Sequence, residues 1–581
     1  MGVKLAETAG FCMGVRRAVD LVLDKARKLG PGTIYTYGPL IHNPQTVALL
    51  EKRGILPVAS LDEVPDGRET TLVIRSHGIS PEERRKIKAK GVTVVDATCP
   101  KVARVQAIIK KYAARGYALV IVGDEGHPEV TALLGFTAGR GLVVGTKEAA
   151  ELLPPAERLV IVAQTTQDQD RYEEITQIIK KKSPQALVFD TICDSTEKRQ
   201  KEVKNLAVQM DAMVIVGGAN SANTRRLAEI AEHQGTPTFY VETAEGLKDH
   251  PVGLYSNIGI SAGASTPNWI IDRVVNDITS IQAWQGEKSQ GLFNFWLFLV
   301  RTDIYSALGA GCLYLAGAIM QKLPVRLSNF LIASLYVYAM HVLNRFTDQK
   351  ANIIGSFREE NYLQHEGLYI FLAVGSLFSA LLLALTQGTR QFLLLFAISL
   401  SGVLYNAHFL PSRRRFRSLK ELPGSKNISM ALAWAMVTVA LPAVGGSFTP
   451  SASQAVAFVF TFAMVFMRSI LSDIIDMQND RLLGRETIPV LVGRKISQRM
   501  LKIIWVFLFI LLASAYPAGW SASVSIVLII CLFYVLICVK LCDRRAALSS
   551  MEMWGLLETN YILAGVSALS WLAIHQTWHR A

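Results

Sequence analysis

Residues 94–109 read VVDATCPKVARVQAII, and residues 188–206 read VFDTICDSTEKRQKEVKNL. In each stretch a β-branched run ends in the spacing D-x-x-C, which brings Cys99 and Cys193 to the start of a run of helical composition. A third cysteine, Cys12, also lies directly before a helix-forming run, in GFCMGVRRAVDLV. Three thiols at the starts of three similar helices could converge on one point, and this is the main hypothesis that the sequence supports.

The first half of the chain has the pattern of a charged α/β protein around these cysteines. Apolar β-branched runs alternate with charged helical runs, which is typical of parallel sheets with crossover helices. Three strand exits look alike, LVIRSHGISPEERRKI, LVIVGDEGHPEVTALL and MVIVGGANSANTRRLAEI, each reading as strand, polar turn and helix. We therefore expect a repeated α/β unit, and a threefold arrangement around an axis would bring the polar turns to one cavity.

The polar turns carry side chains suited to an anionic ligand. Histidine, hydroxyl and amide groups can donate hydrogen bonds to phosphate oxygens, and the helix N-termini that follow add backbone N–H groups. One carboxylate, Glu129, lies two residues after a histidine and is placed to deliver a proton. The candidate donors are His42, His77, His127, Thr165, Thr166, Asn220, Ser221, Asn223 and Ser265.

The three cysteines allow two metal interpretations. Zinc usually takes four ligands, often from close C-x-x-C pairs, and the sequence around these cysteines has no such pair. An iron–sulfur cluster held by three thiolates leaves one iron open for a substrate, and single, widely spaced cysteines suit it better. A lone cysteine or histidine beside a helix is commonly a structural residue, but three matched cysteines with three matched histidines are less readily explained in that way.

The sequence also indicates a reducing compartment. The chain has seven cysteines, an odd number that does not suggest a framework of disulfides. The N-terminal stretch lacks the basic and apolar regions of a signal peptide. We therefore expect the first half in the cytoplasm, where free thiols can hold a metal. The other four cysteines fall in or beside apolar segments: Cys312, Cys531, Cys538 and Cys542.

Residues 1–280 resemble the IspH/LytB family of 4-hydroxy-3-methylbut-2-enyl diphosphate reductases. The motifs that carry the resemblance stand in family order: AGFCMGVRRAV, GPLIHNPQ, IRSHGIS, DATCPKV, GDEGHPEV, AQTT, DTICDSTEKRQ, GGANSANTRRL and SAGASTP. The resemblance implies three α/β subdomains around a central [4Fe–4S] cluster ligated by Cys12, Cys99 and Cys193. It also implies that Thr165 orients the hydroxyl group of the substrate and that Glu129 supplies protons through it. The implied diphosphate-binding residues are His42, His77, His127, Ser221, Asn223 and Ser265, with Asn220 beside them.

The implied reaction is the reductive removal of an allylic hydroxyl group as water, giving isopentenyl and dimethylallyl diphosphate. The electrons are expected from a reduced ferredoxin or flavodoxin, because the chain contains no flavin or nicotinamide fingerprint. One departure is visible: Ala222 stands where the family commonly has a second serine, which predicts weaker diphosphate binding. The competing interpretation of this half is a zinc protein or a protein with structural thiols.

The second half consists of apolar segments, about nine of which are long enough to span a bilayer. We place the reductase-like domain at residues 1–283, a polar linker at 284–291 and an all-α membrane domain at 292–581. Arg and Lys concentrate in alternate loops, which predicts a multi-pass protein of the cell (inner or plasma) membrane with the first half in the cytoplasm. Much of the net charge of +13 lies in these short loops, and the sequence has no nucleic-acid-binding motif, so no nucleic-acid partner is expected.

Three carboxylates follow one apolar segment of this half directly. Asp473, Asp476 and Asp480, in SDIIDMQNDRLLGRETIP, are spaced to lie on one face of a helix. Clustered carboxylates repel one another unless a cation joins them, which suits Mg²⁺ carrying a diphosphate. The alternative is a solvated helix at the membrane surface, which the position directly after an apolar segment disfavours.

Residues 290–575 resemble the UbiA superfamily of membrane prenyltransferases. The resemblance rests on this aspartate motif, on NRFTDQKAN (344–352) and on the loop LYNAHFLPSRRRFRSLKELPGSKN. It implies that Mg²⁺ joins the two acidic motifs to a prenyl diphosphate, with Asn344 and Asp348 contributing from the first. Arg345 and Asn352 replace two aspartates of that first motif, which puts one Mg²⁺ site in question. The implied diphosphate contacts are Lys420, Arg481 and Arg485.

The sequence therefore predicts a bifunctional, membrane-bound isoprenoid enzyme with a soluble α/β reductase half and an all-α membrane half. The acceptor of the second half is open and could be an aromatic ring or another lipophilic nucleophile. The alternative, supported by the altered first motif, is that the membrane half is an inactive anchor that localises the reductase.

Overall fold

The structure, a computed structural model, describes residues 2–29, 34–285, 291–346, 365–406, 424–444, 451–483, 485–543 and 550–578. The chain divides into two compact units, Met1–Gln285 and Gly286–Ala581. Residues 286–290 of the predicted linker lie outside the described residues, and the helices on either side end at Gln285 and begin at Gly291.

The first unit contains three four-stranded sheets in which every strand pair is parallel. Their strand orders are β1-β12-β10-β11, β3-β2-β4-β5 and β7-β6-β8-β9. This confirms the prediction of three α/β subdomains. The strands are β1 (Gly2–Leu5), β2 (Ile34–Tyr37), β3 (Ile55–Val58), β4 (Thr71–Ile74), β5 (Thr93–Asp96), β6 (Ala118–Val122), β7 (Gly141–Val144), β8 (Leu159–Ala163), β9 (Leu187–Phe189), β10 (Ala212–Val216), β11 (Thr238–Val241) and β12 (Asn257–Ala262).

The crossover helices cover both faces of the sheets, so the central strands are buried on both sides and read as continuous apolar runs. In the sheet β1-β12-β10-β11, Val214 packs with Val274 on one face, while Ile215 packs with Leu227 on the other. The helices are α1 (Met13–Leu29), α2 (Pro44–Glu51), α3 (Pro81–Ala89), α4 (Pro100–Ala113), α5 (Pro128–Leu134), α6 (Lys147–Glu151), α7 (Gln169–Lys182), α8 (Asp194–Ala207), α9 (Ala222–His233) and α10 (Asn268–Gln285).

The three sheets repeat one arrangement at one edge. The edge strands β1, β5 and β9 each lead into a cysteine and then into a helix, α1, α4 or α8. Their sheet neighbours β12, β4 and β8 each end in one of the polar turns singled out from the sequence. Because parallel strands end at the same edge of a sheet, each cysteine is brought beside a polar turn.

The second unit is helical throughout its described residues. Seven of these helices are long and apolar enough to cross a membrane, or eight if α11 (Gly291–Arg301) and α12 (Ile304–Met320), bent by 83°, form one span. The predicted number of about nine spans is therefore approximate, and Thr389–Tyr405 is a shorter apolar helix. The helices are α11 (Gly291–Arg301), α12 (Ile304–Met320), α13 (Leu327–Phe346), α14 (Glu366–Gln387), α15 (Thr389–Asn406), α16 (Ser425–Ala443), α17 (Ala452–Ile475), α18 (Met477–Leu483), α19 (Ile488–Val492), α20 (Arg494–Ala515), α21 (Val524–Val527), α22 (Ile529–Asp543) and α23 (Ser550–Trp578).

Small residues allow the closest helix pair of this unit to pack. A Cβ atom at Gly565 of α23 would lie 2.5 Å from Cys312 Cβ of α12, and one at Gly309 would lie 3.0 Å from the ring of Tyr561. Close backbone approach at small residues is the usual way in which membrane helices gain contact area. The glycines therefore allow α12 and α23 to pack closely against each other.

Candidate functional site

The three cysteines of the first unit lie at helix N-termini. Cys99 and Cys193 are the N-cap residues of α4 and α8, with no side-chain cap hydrogen bond, and Cys12 directly precedes α1. The partial positive charge of a helix N-terminus favours a thiolate, which is the form that binds metal. Burial raises the pKa of the Cys99 thiol, and the N–H groups of Lys101 and Val102 oppose that shift.

One backbone hydrogen bond positions each cysteine in the same way. The N–H of Cys12 donates to Ala264 O (3.2 Å), and the N–H of Cys99 donates to Ser76 O (2.9 Å). The N–H of Cys193 donates to Thr165 O (2.9 Å). Each acceptor lies in the turn after the neighbouring strand, so each thiol is fixed beside the polar turn of its own sheet.

The thiols of the three sheets come together. A Cβ atom at Gly14 would lie 2.6 Å from Cys99 Sγ and 3.9 Å from Cys12 Sγ, so both of these thiols lie close to Gly14. The Cys99 thiol also interacts electrostatically with both Cys12 and Cys193. The structure thus brings together the three cysteines that the sequence singled out.

The spacing of the thiols distinguishes between the two metal interpretations. Among the described residues, the only three metal-ligating side chains whose ligand atoms all lie within 4.8 Å of one another are histidines. At least one pair of the three sulfur atoms is therefore farther apart than a single zinc ion, with bonds of about 2.3 Å, would hold them. A larger iron–sulfur cluster fits three separated thiols at helix N-termini.

The histidines of that group are His42, His77 and His127, with ring centroids 4.6, 5.6 and 5.9 Å apart. Burial lowers the pKa of His127 to about 4 and lowers the pKa of His42 and His77, and the charge of Arg75 lowers all three further. His42 Nε2 and His77 Nδ1 are buried with no hydrogen-bond partner in the described part of the chain. Buried polar atoms of this kind indicate a missing ligand, and an anion would raise the pKa of these imidazoles.

The remaining predicted diphosphate contacts differ in their surroundings. Asn223, in the first turn of α9, has a buried Nδ2 without a partner among the described residues, whereas Asn220 is exposed. Ser221 is the N-cap residue of α9, and its Oγ accepts from Thr224 N (3.3 Å). Ser265 is partly buried in the turn after β12. The N-terminus of α9 can therefore offer amide and backbone N–H donors to an anion.

Glu129 and Thr165 form a buried pair. Glu129 is 1% exposed; its Oε1 accepts from Thr165 N (2.7 Å), and its Oε2 lies 2.8 Å from Thr165 Oγ1. Burial raises the pKa of Glu129 to about 7, against the hydrogen bonds from Thr165, which lower it. The carbonyl oxygen of Thr165 also accepts from Cys193 N, so Thr165 links the Glu129 carboxyl group to the backbone of a cysteine. Glu129 can hold or release a proton near neutral pH.

Two arginines at the site were missed by the sequence analysis. Arg226 is 6% exposed and donates to Asp124 Oδ1 (2.8 Å) and Thr166 O (2.6 Å), which ties α9 to the turns after β6 and β8. Its position three residues after Asn223, on the same helix face, was the feature of the sequence that pointed to this site. Arg75 directly precedes the S-H-G turn and lies close enough to affect all three histidines.

In the second unit, Asp473 and Asp480 contact cations of the chain. Asp473 of α17 is 2% exposed and accepts from Asn427 Nδ2 (2.7 Å) and Lys426 Nζ (3.3 Å). Asp480 of α18 lies 3.5 Å from Arg485 Nη1, and its Oδ2 is buried without a partner among the described residues. That oxygen is available to a bound cation. Asp476 is the residue between α17 and α18, and Arg481 is partly buried on α18.

One residue of the first motif of this unit forms an ion pair with a residue outside the motif. Arg345 Nε and Nη2 donate to Asp303 Oδ2 (2.7 Å) and Oδ1 (2.8 Å). Asp303 is 1% exposed and lies at the bend between α11 and α12, with φ 59°. Asn344 is exposed on α13. The predicted sites Asp348 and Lys420 lie outside the described residues.

Comparison with known proteins gives matches to both halves. The LytB protein family matches residues 3–279. The 4-hydroxy-3-methylbut-2-enyl diphosphate reductase of Geobacter metallireducens is 40% identical over 283 residues, covering 49% of this chain and 99% of the relative. The enzyme of the same name from Aquifex aeolicus is 43% identical over 280 residues, covering 48% and 96%.

The chain belongs to the LytB family. Its second half matches the UbiA prenyltransferase family over residues 304–557. A UbiA homologue from Archaeoglobus fulgidus, solved with GPP and Mg²⁺, is 19% identical with a TM-score of 0.34, covering 47% of this chain and 99% of that one. The chain thus joins a LytB-family domain to a second half that matches the UbiA prenyltransferase family and has helices suited to a membrane.

Gly14→Ala tests the packing around the LytB cysteines. The new Cβ would lie 2.6 Å from Cys99 Sγ, so the thiol must move away from its position. We expect the variant to bind markedly less iron and acid-labile sulfide per chain than the wild type after anaerobic purification. Gly246→Ala is the matched control, because a Cβ there would have only ordinary contacts with Val241. Equal iron content in both variants would contradict the convergence of the thiols.

Arg345→Met tests the ion pair of the membrane half. The substitution removes the guanidinium that pairs with the buried carboxylate of Asp303. Breaking a buried ion pair in this way lowers the free energy of unfolding by about 3–5 kcal/mol. We expect a clearly lower thermal unfolding midpoint for the full chain in detergent, partly recovered in the double variant with Asp303→Asn. Arg326→Met, at an exposed arginine, is the control. If Arg345→Met is as stable as this control, the pair is not structural.

Proposed function

We propose that the first half reduces (E)-4-hydroxy-3-methylbut-2-enyl diphosphate to isopentenyl and dimethylallyl diphosphate. The balance is one substrate, two electrons and two protons in, and one isoprenyl diphosphate and one water out, with the allylic C–O bond broken. The observation that carries the proposal is the position of three cysteines at helix N-termini, each bonded to a polar turn. The name of the relatives, which are covered almost in full, supports the same reaction.

Cys12, Cys99 and Cys193 are proposed to hold the [4Fe–4S] cluster. When bound, the cluster supplies electrons one at a time and a Lewis-acidic iron for the hydroxyl oxygen of the substrate. A reduced ferredoxin or flavodoxin is the proposed electron donor. The role of the chain is to hold three thiolates in place, and the N-termini of α1, α4 and α8 favour that charge state.

The diphosphate is proposed to bind between the histidines and the N-terminus of α9. His42, His77 and His127 lie close together with unpartnered ring nitrogens on the first two, and Asn223 adds a buried amide donor. A diphosphate carries enough negative charge to favour protonated imidazoles, so binding is expected to take up protons. Ser221, Ser265 and, at the exposed rim, Asn220 complete the proposed donors. The missing hydroxyl at Ala222 is expected to weaken this binding.

Glu129 is proposed to deliver protons through Thr165. Its pKa of about 7 leaves a useful fraction of the carboxyl group protonated at neutral pH. The Thr165 hydroxyl, 2.8 Å from Oε2, is placed to orient the hydroxyl group of the substrate and to pass the proton on. Because this pair is buried, bulk water does not compete for that proton.

For the second half we propose Mg²⁺-dependent prenyl transfer from a prenyl diphosphate to a lipophilic acceptor. Asp473, Asp476 and Asp480 are the proposed Mg²⁺ ligands of the second motif. In the first motif Asn344 and Asp348 are proposed, and Lys420, Arg481 and Arg485 are proposed to contact the diphosphate. The unpartnered Oδ2 of Asp480 supports a cation at this place.

The second candidate for this half is an inactive anchor. The ion pair between Arg345 and Asp303 favours it, because it commits a residue of the first motif to a neighbouring helix. In either case we propose a multi-pass membrane protein with the reductase half on the cytoplasmic side. The apolar helices support a location in the membrane. The concentration of Arg and Lys in alternate loops supports the proposed orientation.

The test of the reductase is anaerobic turnover of the hydroxylated allylic diphosphate by the full chain with a reduced viologen dye. We expect both five-carbon products, and turnover that falls as pH rises through about 7, because Glu129 must be protonated to donate. Glu129→Gln is expected to lower turnover by about 10²–10⁴-fold. Glu125→Gln, an exposed carboxylate on the same turn, is the control. Product formation unaffected by Glu129→Gln would contradict this role.

The test of the second half is prenyl transfer by membranes that contain the full chain. Labelled prenyl diphosphates are supplied with Mg²⁺ and a panel of aromatic and lipid acceptors, and Asp473→Asn serves as the inactive control. Transfer that requires both Mg²⁺ and Asp473 supports the enzyme. A folded chain that transfers to none of the acceptors supports the anchor.

A further inference from the structure

One charged side chain is buried beside the cysteines and has no role in the function proposed above. Arg199 of α8 is 2% exposed. Its Nε and Nη2 donate to Thr8 O (3.1 and 2.5 Å), and Nη2 also donates to Gly10 O (2.7 Å). These carbonyls belong to the loop between β1 and Cys12. A residue of the Cys193 helix therefore holds the loop that presents Cys12.

The charge of Arg199 is not balanced by a bonded carboxylate. A guanidinium stays protonated in proteins, and all three of its hydrogen bonds go to neutral carbonyls. Within the described part of the chain, no carboxylate oxygen lies within 4.0 Å of it. A buried charge is strongly unfavourable unless anions lie near it, and Glu202 is one nearby carboxylate although it forms no ion pair with Arg199. Burial lowers the pKa of Arg199, and the groups that raise it are Cys12, Glu202 and Cys193.

Glu202, one turn further along α8, binds the same loop with the opposite charge. Its Oε1 accepts from Glu7 N (2.5 Å), and its Oε2 accepts from Thr8 N (2.9 Å) and Thr8 Oγ1 (2.5 Å). Glu202 therefore shares the mechanical role of Arg199 and differs in the sign of its charge. This makes it a matched control that separates loop positioning from electrostatics.

We propose that Arg199 is a positioning residue that supplies the counter-charge of the metal cluster and raises its reduction potential. The inference rests on the proposed function, because it requires a cluster bound by Cys12 and Cys193. Reduction adds negative charge beside a guanidinium that is shielded from water. In a low-dielectric interior a nearby cation stabilises that added charge, so the reduced state becomes more accessible.

The test is the midpoint potential of the cluster in the anaerobically purified full chain, followed by EPR during a redox titration. Arg199→Gln is expected to shift the potential to more negative values. Arg199→Lys, which keeps the charge, is expected to stay near the wild type. Glu202→Gln loosens the same loop but removes a negative charge, so its potential is expected to stay unchanged or to rise.

An unchanged potential in Arg199→Gln, or an equal fall in Glu202→Gln, would overturn the inference and leave only a loop contact. If Arg199→Gln assembles no cluster while Arg199→Lys and Glu202→Gln do, the requirement for the charge is supported. If all three variants lose the cluster alike, the charge role is rejected. A wild-type chain without any cluster signal would instead reject the proposed function itself.

Discussion

The hydrogen bond from the backbone N–H of a cysteine to the turn after the neighbouring strand is the constraint on which the first unit depends. It occurs once in each sheet, at Cys12, Cys99 and Cys193. It fixes the backbone of each cysteine through the main chain, and the thiols of Cys99 and Cys193 form no capping hydrogen bond in α4 or α8. The same bond brings a donor-rich turn beside each proposed metal-binding position. The proposed metal and substrate positions therefore share one feature of sheet geometry.

Side chains then tie the three cysteine-bearing segments to one another. Arg17 of α1 donates to Thr98 O (3.0 Å), beside Cys99, and Lys101 of α4 pairs with Asp194 of α8 (2.9 Å). Arg199 of α8 completes the set by binding the loop before Cys12. Exposed ion pairs contribute little to stability, but each of these contacts joins two of the cysteine-bearing segments. The three thiol positions therefore depend on one another as well as on their own sheets.

Much of the first unit could be predicted from its sequence, because the relevant signals are local. The β-branched runs, the D-x-x-C spacing and the polar strand exits indicated parallel sheets with cysteines at helix starts. Arg226 and Arg199 could not be assigned in this way, since a buried arginine on a charged helix resembles a solvated one. Their roles depend on contacts between segments far apart in sequence, with Asp124 and Thr8 respectively. In the second unit the position of the apolar helices was predictable, whereas the pairing of Arg345 with Asp303 was not.

We propose that three cysteines at helix N-termini form one iron–sulfur site. The most direct measurement is the metal and sulfide content of the full chain purified without oxygen. We expect a brown protein with about four irons and four sulfides per chain. A colourless protein that contains zinc instead of iron, or that contains no metal, would contradict it.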